Sequence, residues 1–129
     1  MNDNKFFLVS YLLSLAILLF GTMPLLAAES DSHPAVPFKH AMGMKKYQSN
    51  CAGCHGKWLE GSEQGPPLMH GFYKPSHHGN AAFYRAALQG VRAHHWQFGD
   101  MPKVEGITKE DMDSIVPFIR WYQHEKGLY

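Results

Sequence analysis

Cys51-Ala52-Gly53-Cys54-His55 is the stretch on which the reading of this chain turns. Two thiols spaced Cys-x-x-Cys on one helical turn reach two vinyl groups on the same side of a macrocycle. The next residue, His55, then points its imidazole at the metal in the centre. Other uses of the pair fit less well. These are the only 2 cysteines in 129 residues, and a zinc ribbon needs a second pair. A thioredoxin-like dithiol needs a βαβ setting, which the sequence lacks, and a disulfide across so short a loop stabilises little. Covalent haem is the chemistry that remains.

Upstream of the motif, Lys5 is followed by an apolar run from Phe6 to Phe20, then Gly21, Pro24 and Ala27-Ala28. The run, about 15 residues, is short for a spanning helix needing roughly 20. The layout is that of a signal peptide over residues 1–28, with an uncleaved membrane anchor as the alternative. Both imply export to the periplasm, free or tethered to the inner membrane. Residues 29–38, rich in Ser and Pro, read as a flexible leader, and residues 39–129 as one domain. With 12 Lys and Arg against 11 Asp and Glu, there is no basic stripe and no support for nucleic-acid binding.

Three helices are predicted. The first spans about Lys39 to Asn50, with Met44 and Tyr47 on one face. The second starts at Asn80 as N-cap, carries Tyr84, Ala87, Leu88 and Val91, and ends at Gly90. The third opens with Thr108-Lys-Glu-Asp111, a capping box with Asp in the third position. Met112, Ile115, Val116, Ile119 and Tyr122 line one face, and Gly127 stops it. Pro117 inside it predicts a kink. Between the helices, Gly61 to Ser76 and Arg92 to Gly106 are long, turn-rich and without strand alternation. Loops of that length suggest wrapping around a large group. The expected class is all-α, three to four main helices with loops around one haem.

The second axial ligand has competing candidates. Met101 stands before Pro102, which biases it to extended backbone and presents its thioether from a loop. His94 and His95 in the same loop are its rivals. Met44 and Met112, on helix faces, read as core. A ligating imidazole needs an acceptor for its other N–H, and the carbonyl of Pro66 or Pro67 would serve, unless these prolines only stiffen a turn. Carboxylates of the macrocycle call for N–H donors, for which Arg92, Trp96 and Gln97 are candidates.

Gly43-Met-Lys-Lys-Tyr47 before Cys51, Gly65-Pro66-Pro67-Leu68 after it, and Met101-Pro102 ahead of the last helix together resemble class I c-type cytochromes over nearly the whole exported part. The resemblance implies that Gly43 and Tyr47 pack against Ile115, Phe118 and Ile119 of the C-terminal helix. It also implies that the Pro66 carbonyl accepts from His55 and that Leu68 packs on the haem ring. Met101 would be the distal ligand. The loop from Val91 to Asp100, with two histidines and a tryptophan, departs from any fixed pattern of the family.

The expected function follows: a mono-haem, one-electron carrier and not an enzyme. Its heme c is held by Cys51, Cys54, His55, Pro66, Leu68 and Met101, with iron bound by His55 and Met101. It would serve redox partner proteins such as an oxidase, reductase or dehydrogenase, steered by a rim of Lys45, Lys57 and Lys103. Two alternatives stand beside it. One is a haem enzyme or gas sensor with an exchangeable sixth ligand. The other is a periplasmic copper-binding haem module in which His77-His78 and His94-His95 converge. Adjacent loop histidines usually point apart, which favours solvated or carboxylate-bonding roles for these four.

Overall fold

The helix with the clearest start signal is the one the others pack on. The computed structural model describes residues 33–129. The chain forms α1 (Phe38–Asn50), α2 (Ala52–His55), α3 (Asn80–Gln89) and α4 (Lys109–Glu125), with one 3-10 turn at Gly71–Tyr73. Among the described residues there is no strand, only the isolated bridges Ser62–Gly65 and Val91–Met101. The architecture is all-α with long loops, as the periodicity predicts. The signal segment, residues 1–28, and residues 29–32 of the leader lie outside the described residues. Of the leader's remainder, His33 stacks on Trp58 with ring centroids 4.4 Å apart. No helix among the described residues is long and apolar enough to cross a membrane.

At the start of α4 the Thr108 hydroxyl accepts from the Asp111 N–H at 3.1 Å, and the Asp111 carboxylate accepts from the Thr108 N–H at 3.0 Å. Two donors that the first helical turn leaves unpaired are satisfied this way. The buried face holds Met112, Ile115, Val116, Ile119 and Tyr122, as expected, together with Phe118 and Gln123. The helix continues through Pro117, which lies on the exposed side.

α1 crosses α4 at Gly43. A Cβ built there would overlap the Ser114 carbonyl oxygen and sit 2.9 Å from its carbon and 3.0 Å from Phe118 Cβ. Only glycine lets the two backbones come that close. One turn later Tyr47, fully buried, packs on Phe118 at 5.6 Å and donates its hydroxyl to the Gly56 carbonyl at 2.8 Å. The same helix pair is tied at its edge by Lys46 Nζ, 2.8 Å from the Asp111 carboxylate.

α3 differs from expectation at its start. Gly79 is the N-cap and Asn80 the first helical residue. The Asn80 side chain is drawn away from capping because its Oδ1 accepts from Arg120 Nε at 2.8 Å. Arg120 also donates to the carbonyls of Tyr73 and His78, and lies over the Phe83 ring. Gln123, buried, donates to the Leu68 carbonyl at 2.7 Å. Two side chains of α4 therefore hold the otherwise irregular segment from Leu68 to Asn80.

Gly43→Ala is expected to destabilise the protein by about 3 kcal/mol, the upper end of overpacking costs, because backbone rather than a mobile side chain must yield. Denaturant titration measures it, and a loss below about 1 kcal/mol would mean the crossing is not constrained. A pH dependence follows from Asp111. Its carboxyl is held below the usual carboxylate range, first by Lys46 and then by Thr108. A depressed folded-state value stabilises above the unfolded value of about 4 and is lost as pH falls through the folded one. The stability gap between the wild type and Asp111→Asn should be full at neutral pH and close in acid.

Candidate functional site

The Cys-x-x-Cys-His turn is α2 itself, one helical turn whose Cys54 and His55 N–H groups both donate to the Cys51 carbonyl, at 3.2 and 2.9 Å. Cys51 caps the end of α1, so the motif hangs directly from the helix that Gly43 docks on α4. Both thiols are free; Cys51 is half-buried and Cys54 exposed. Burial and, secondarily, the neighbouring Cys54 push the Cys51 thiol up to about 11. A redox-active dithiol needs the opposite shift, so the dithiol reading loses support.

The loop after the motif folds back over it. Gly61 N–H donates to the His55 carbonyl at 2.7 Å, and the Ser62 hydroxyl donates to Cys54 O at 2.8 Å. Gly65 passes so close that a Cβ would stand 3.0 Å from both the Cβ and the carbonyl oxygen of Cys54. This approach brings the Pro66 carbonyl to 2.9 Å from His55 Nδ1. A carbonyl only accepts, so Nδ1 carries the proton and the Nε2 lone pair is left for a metal. Burial holds His55 below its usual value, against the smaller effect of Pro66, and keeps it neutral at pH 7.

Cys51, His55, Pro66, Leu68 and Met101 line one cavity of about 400 Å³, a size within the range of cofactor pockets. Cys54 stands beside it, facing solvent. Leu68, Phe83, Ala87, Met112, Ile115 and Ile119 make an apolar wall. Met112 belongs to the core at 2 % exposure, and Met44 packs against that core from α1.

Met101 is delivered to the cavity by a two-bond bridge. Val91 N–H donates to the Met101 carbonyl at 2.9 Å, and Met101 N–H donates back at 2.8 Å. Gly90, at φ 80°, turns the chain out of α3 where a Cβ would stand 2.8 Å from Met101 O. Between the bridged residues, the Asp100 carboxylate accepts from Ala93 N–H at 2.9 Å.

Of the three proposed carboxylate donors, Trp96 and Arg92 line the cavity and Gln97 is exposed away from it. The Trp96 Nε1–H is buried and makes no hydrogen bond within the protein. Tyr73 is near enough for that N–H to draw its phenol down against the larger upward push of burial, without the geometry of a bond. A buried donor without an acceptor is costly, and a carboxylate of a bound group would relieve it. Residue by residue the site fits haem: an apolar cavity, an imidazole with its Nε2 free and a methionine among its lining residues, the two thiols beside them and an orphaned Trp96 donor.

The sequence reading missed Arg120 and Gln123, since one charged and one amide residue on a helix carry no signal of partners some 50 positions away. It also expected the histidine pairs to diverge, and they do not. His77 Nε2 lies 3.1 Å from His95 Nε2, and His94 Nε2 lies 3.5 Å from His78 Nε2. Of the lysine rim, Lys57 lies over the Trp58 ring and Lys103 pairs with Glu105 at 3.1 Å.

Residues 41–123 match the family model described as Cytochrome c. No curated protein and no solved structure matches the chain.

Proposed function

Since the chain belongs to the cytochrome c family, whose members bind haem and transfer electrons, we propose that it carries one electron at a time on a single covalent haem. In this reading Cys51 and Cys54 would attach the haem, and His55 and Met101 would hold its iron. The observation that carries it is the joint placement of His55 and Met101 on one apolar cavity, each anchored through backbone, His55 by the Pro66 carbonyl and Met101 by the Val91 bridge.

When bound, the haem iron supplies the one-electron ferric/ferrous couple. The protein's residues set its terms. His55 offers Nε2 with its tautomer already fixed, so little reorganisation accompanies a change of oxidation state. The Met101 thioether, a soft donor, would favour the ferrous form and a potential in the upper part of the range. Leu68, Phe83, Ile115 and Ile119 exclude water, which disfavours the extra charge of the ferric form. Trp96 and Arg92 offer donors to carboxylates. His94 and His95 line the same cavity, but their imidazoles face those of His78 and His77, and this favours Met101 as ligand.

Cys54 is the exposed member of the motif, and partner proteins would approach there. The partners we propose are redox proteins of the exported space, an oxidase, reductase or dehydrogenase. The signal layout of residues 1–28 supports a periplasmic setting, free or tethered.

Met101→Ala is expected to abolish the weak far-red band of thioether-bound ferric haem and to let the ferrous form bind carbon monoxide. Its midpoint potential should fall by on the order of 100 mV, within the roughly 0.8 V that axial ligands control. A wild type that itself binds carbon monoxide rapidly would point instead to an exchangeable sixth position. Trp96→Phe keeps the ring and removes the donor. In the haem-loaded protein it should cost about 1.5–3 kcal/mol, the worth of a hydrogen bond to a charged group, by chemical denaturation. An unchanged midpoint would take Trp96 out of carboxylate binding.

A further inference from the structure

Four imidazoles from two loops meet outside the role just proposed. One nitrogen from each of His77, His78 and His95 lies within 4.8 Å of the others, and His94 joins through His78. Their tautomers are constrained. His78 Nδ1 is 2.5 Å from the Phe72 carbonyl, and His94 Nδ1 is 2.8 Å from the Arg92 carbonyl. Carbonyls cannot donate, so both Nδ1 atoms carry protons, and in the neutral rings both Nε2 atoms are bare lone pairs. These lone pairs face each other at 3.5 Å. Two acceptors do not bond, and the arrangement calls for a positive charge between them.

A proton could supply that charge to one pair, but three further observations favour a metal. Nitrogens bound at about 2.0–2.1 Å to one tetrahedral ion stand roughly 3.3–3.4 Å apart. The His77–His95 Nε2 separation, 3.1 Å, is close to that value, and a nitrogen of His78 lies within 4.8 Å of both. Metal-bound histidines characteristically donate their second N–H to a backbone carbonyl, as His78 and His94 do. Orientation is also fixed in advance. Arg120 holds the His78 carbonyl, and the Phe72 ring stacks on His95 at 4.2 Å and 17°.

The geometry points to a second metal site, distinct from haem, in which His77, His78 and His95 bind one divalent late first-row ion, with His94 adjacent through His78. An all-imidazole set suits Cu²⁺ and Zn²⁺, with Cu²⁺ the tighter by the general affinity order. Occupancy would tie the segment before α3 to the loop that carries Met101.

The test is titration of the haem-loaded, full-length exported protein with Cu²⁺, and separately Zn²⁺, followed by calorimetry and, for copper, electron paramagnetic resonance. One equivalent is expected to bind, with nitrogen hyperfine structure in the copper spectrum and an unchanged optical spectrum of the haem. Loss of a second-shell partner commonly costs 10–100-fold in affinity, so removing ligands themselves should cost at least about 100-fold. That loss is expected in His77→Asn/His95→Asn and equally in His78→Asn/His94→Asn, the haem spectrum reporting that each variant is folded. No bound equivalent would mean that a shared proton alone joins the pair, and would overturn the site. Binding that survives both double variants would assign the metal to other histidines, with the same consequence. A haem spectrum changed by either double variant would instead place one of these residues on the haem iron.

Discussion

Where Gly43 meets Ser114 and Phe118, two helix backbones approach until no side chain fits between them. Everything with chemistry in this molecule is referred to that crossing. α1 ends in Cys51, so the depth at which α1 sits on α4 sets where the Cys-x-x-Cys-His turn begins. Tyr47 extends the constraint by one turn. Its ring packs on Phe118 and its hydroxyl reaches past the motif to the Gly56 carbonyl. A residue larger than glycine at 43 would displace the thiols, His55 and the loop above them together.

The loops depend on α4 in a second way. A protein of this size has a modest core, and most of the described residues between Gly56 and Thr108 outside α3 are irregular. Backbone groups in such segments need partners, and sheet pairing is not there to provide them. Arg120 and Gln123 do so for Leu68, Tyr73 and His78, each bond crossing from a rigid helix to a loop carbonyl. The Pro66 carbonyl is satisfied by His55, and the Met101 peptide by Val91. The cavity walls are thus fixed by hydrogen bonds from helices and by the motif itself, with apolar packing filling the space between.

What could be read from the sequence was what is local or periodic. The capping box at Thr108, the apolar stripe of α4, the glycine stop of α3 and the motif with its attached chemistry all lie within a few positions of one another. Met101 was a candidate from the backbone bias of Pro102, and Pro66 or Pro67 from the need for an acceptor, with the resemblance narrowing the proline to Pro66. Asn80 was misplaced by one position because a competing partner, Arg120, sits 40 residues away. Leu59, buried at φ 68°, gives no sign in the sequence of its left-handed backbone. The histidine pairs were misjudged for the same reason. Neighbouring imidazoles on one loop usually point apart, but here two such loops face each other and bring four rings together.

The bridge between Val91 and Met101 explains how one short loop can serve two purposes. Its ends are locked to each other, so the residues between them cannot slide relative to the cavity. Met101 at the closing end lines the cavity. Trp96, midway, lines the same cavity with its N–H buried and unpartnered, and His94 and His95 turn their imidazoles to the segment held by Arg120. A loop fixed only at one end could not keep those directions distinct. With both ends fixed, and with the facing segment fixed independently from α4, the thioether and the imidazoles are set by separate constraints. Changes at the histidines can then leave Met101 in place on the cavity wall.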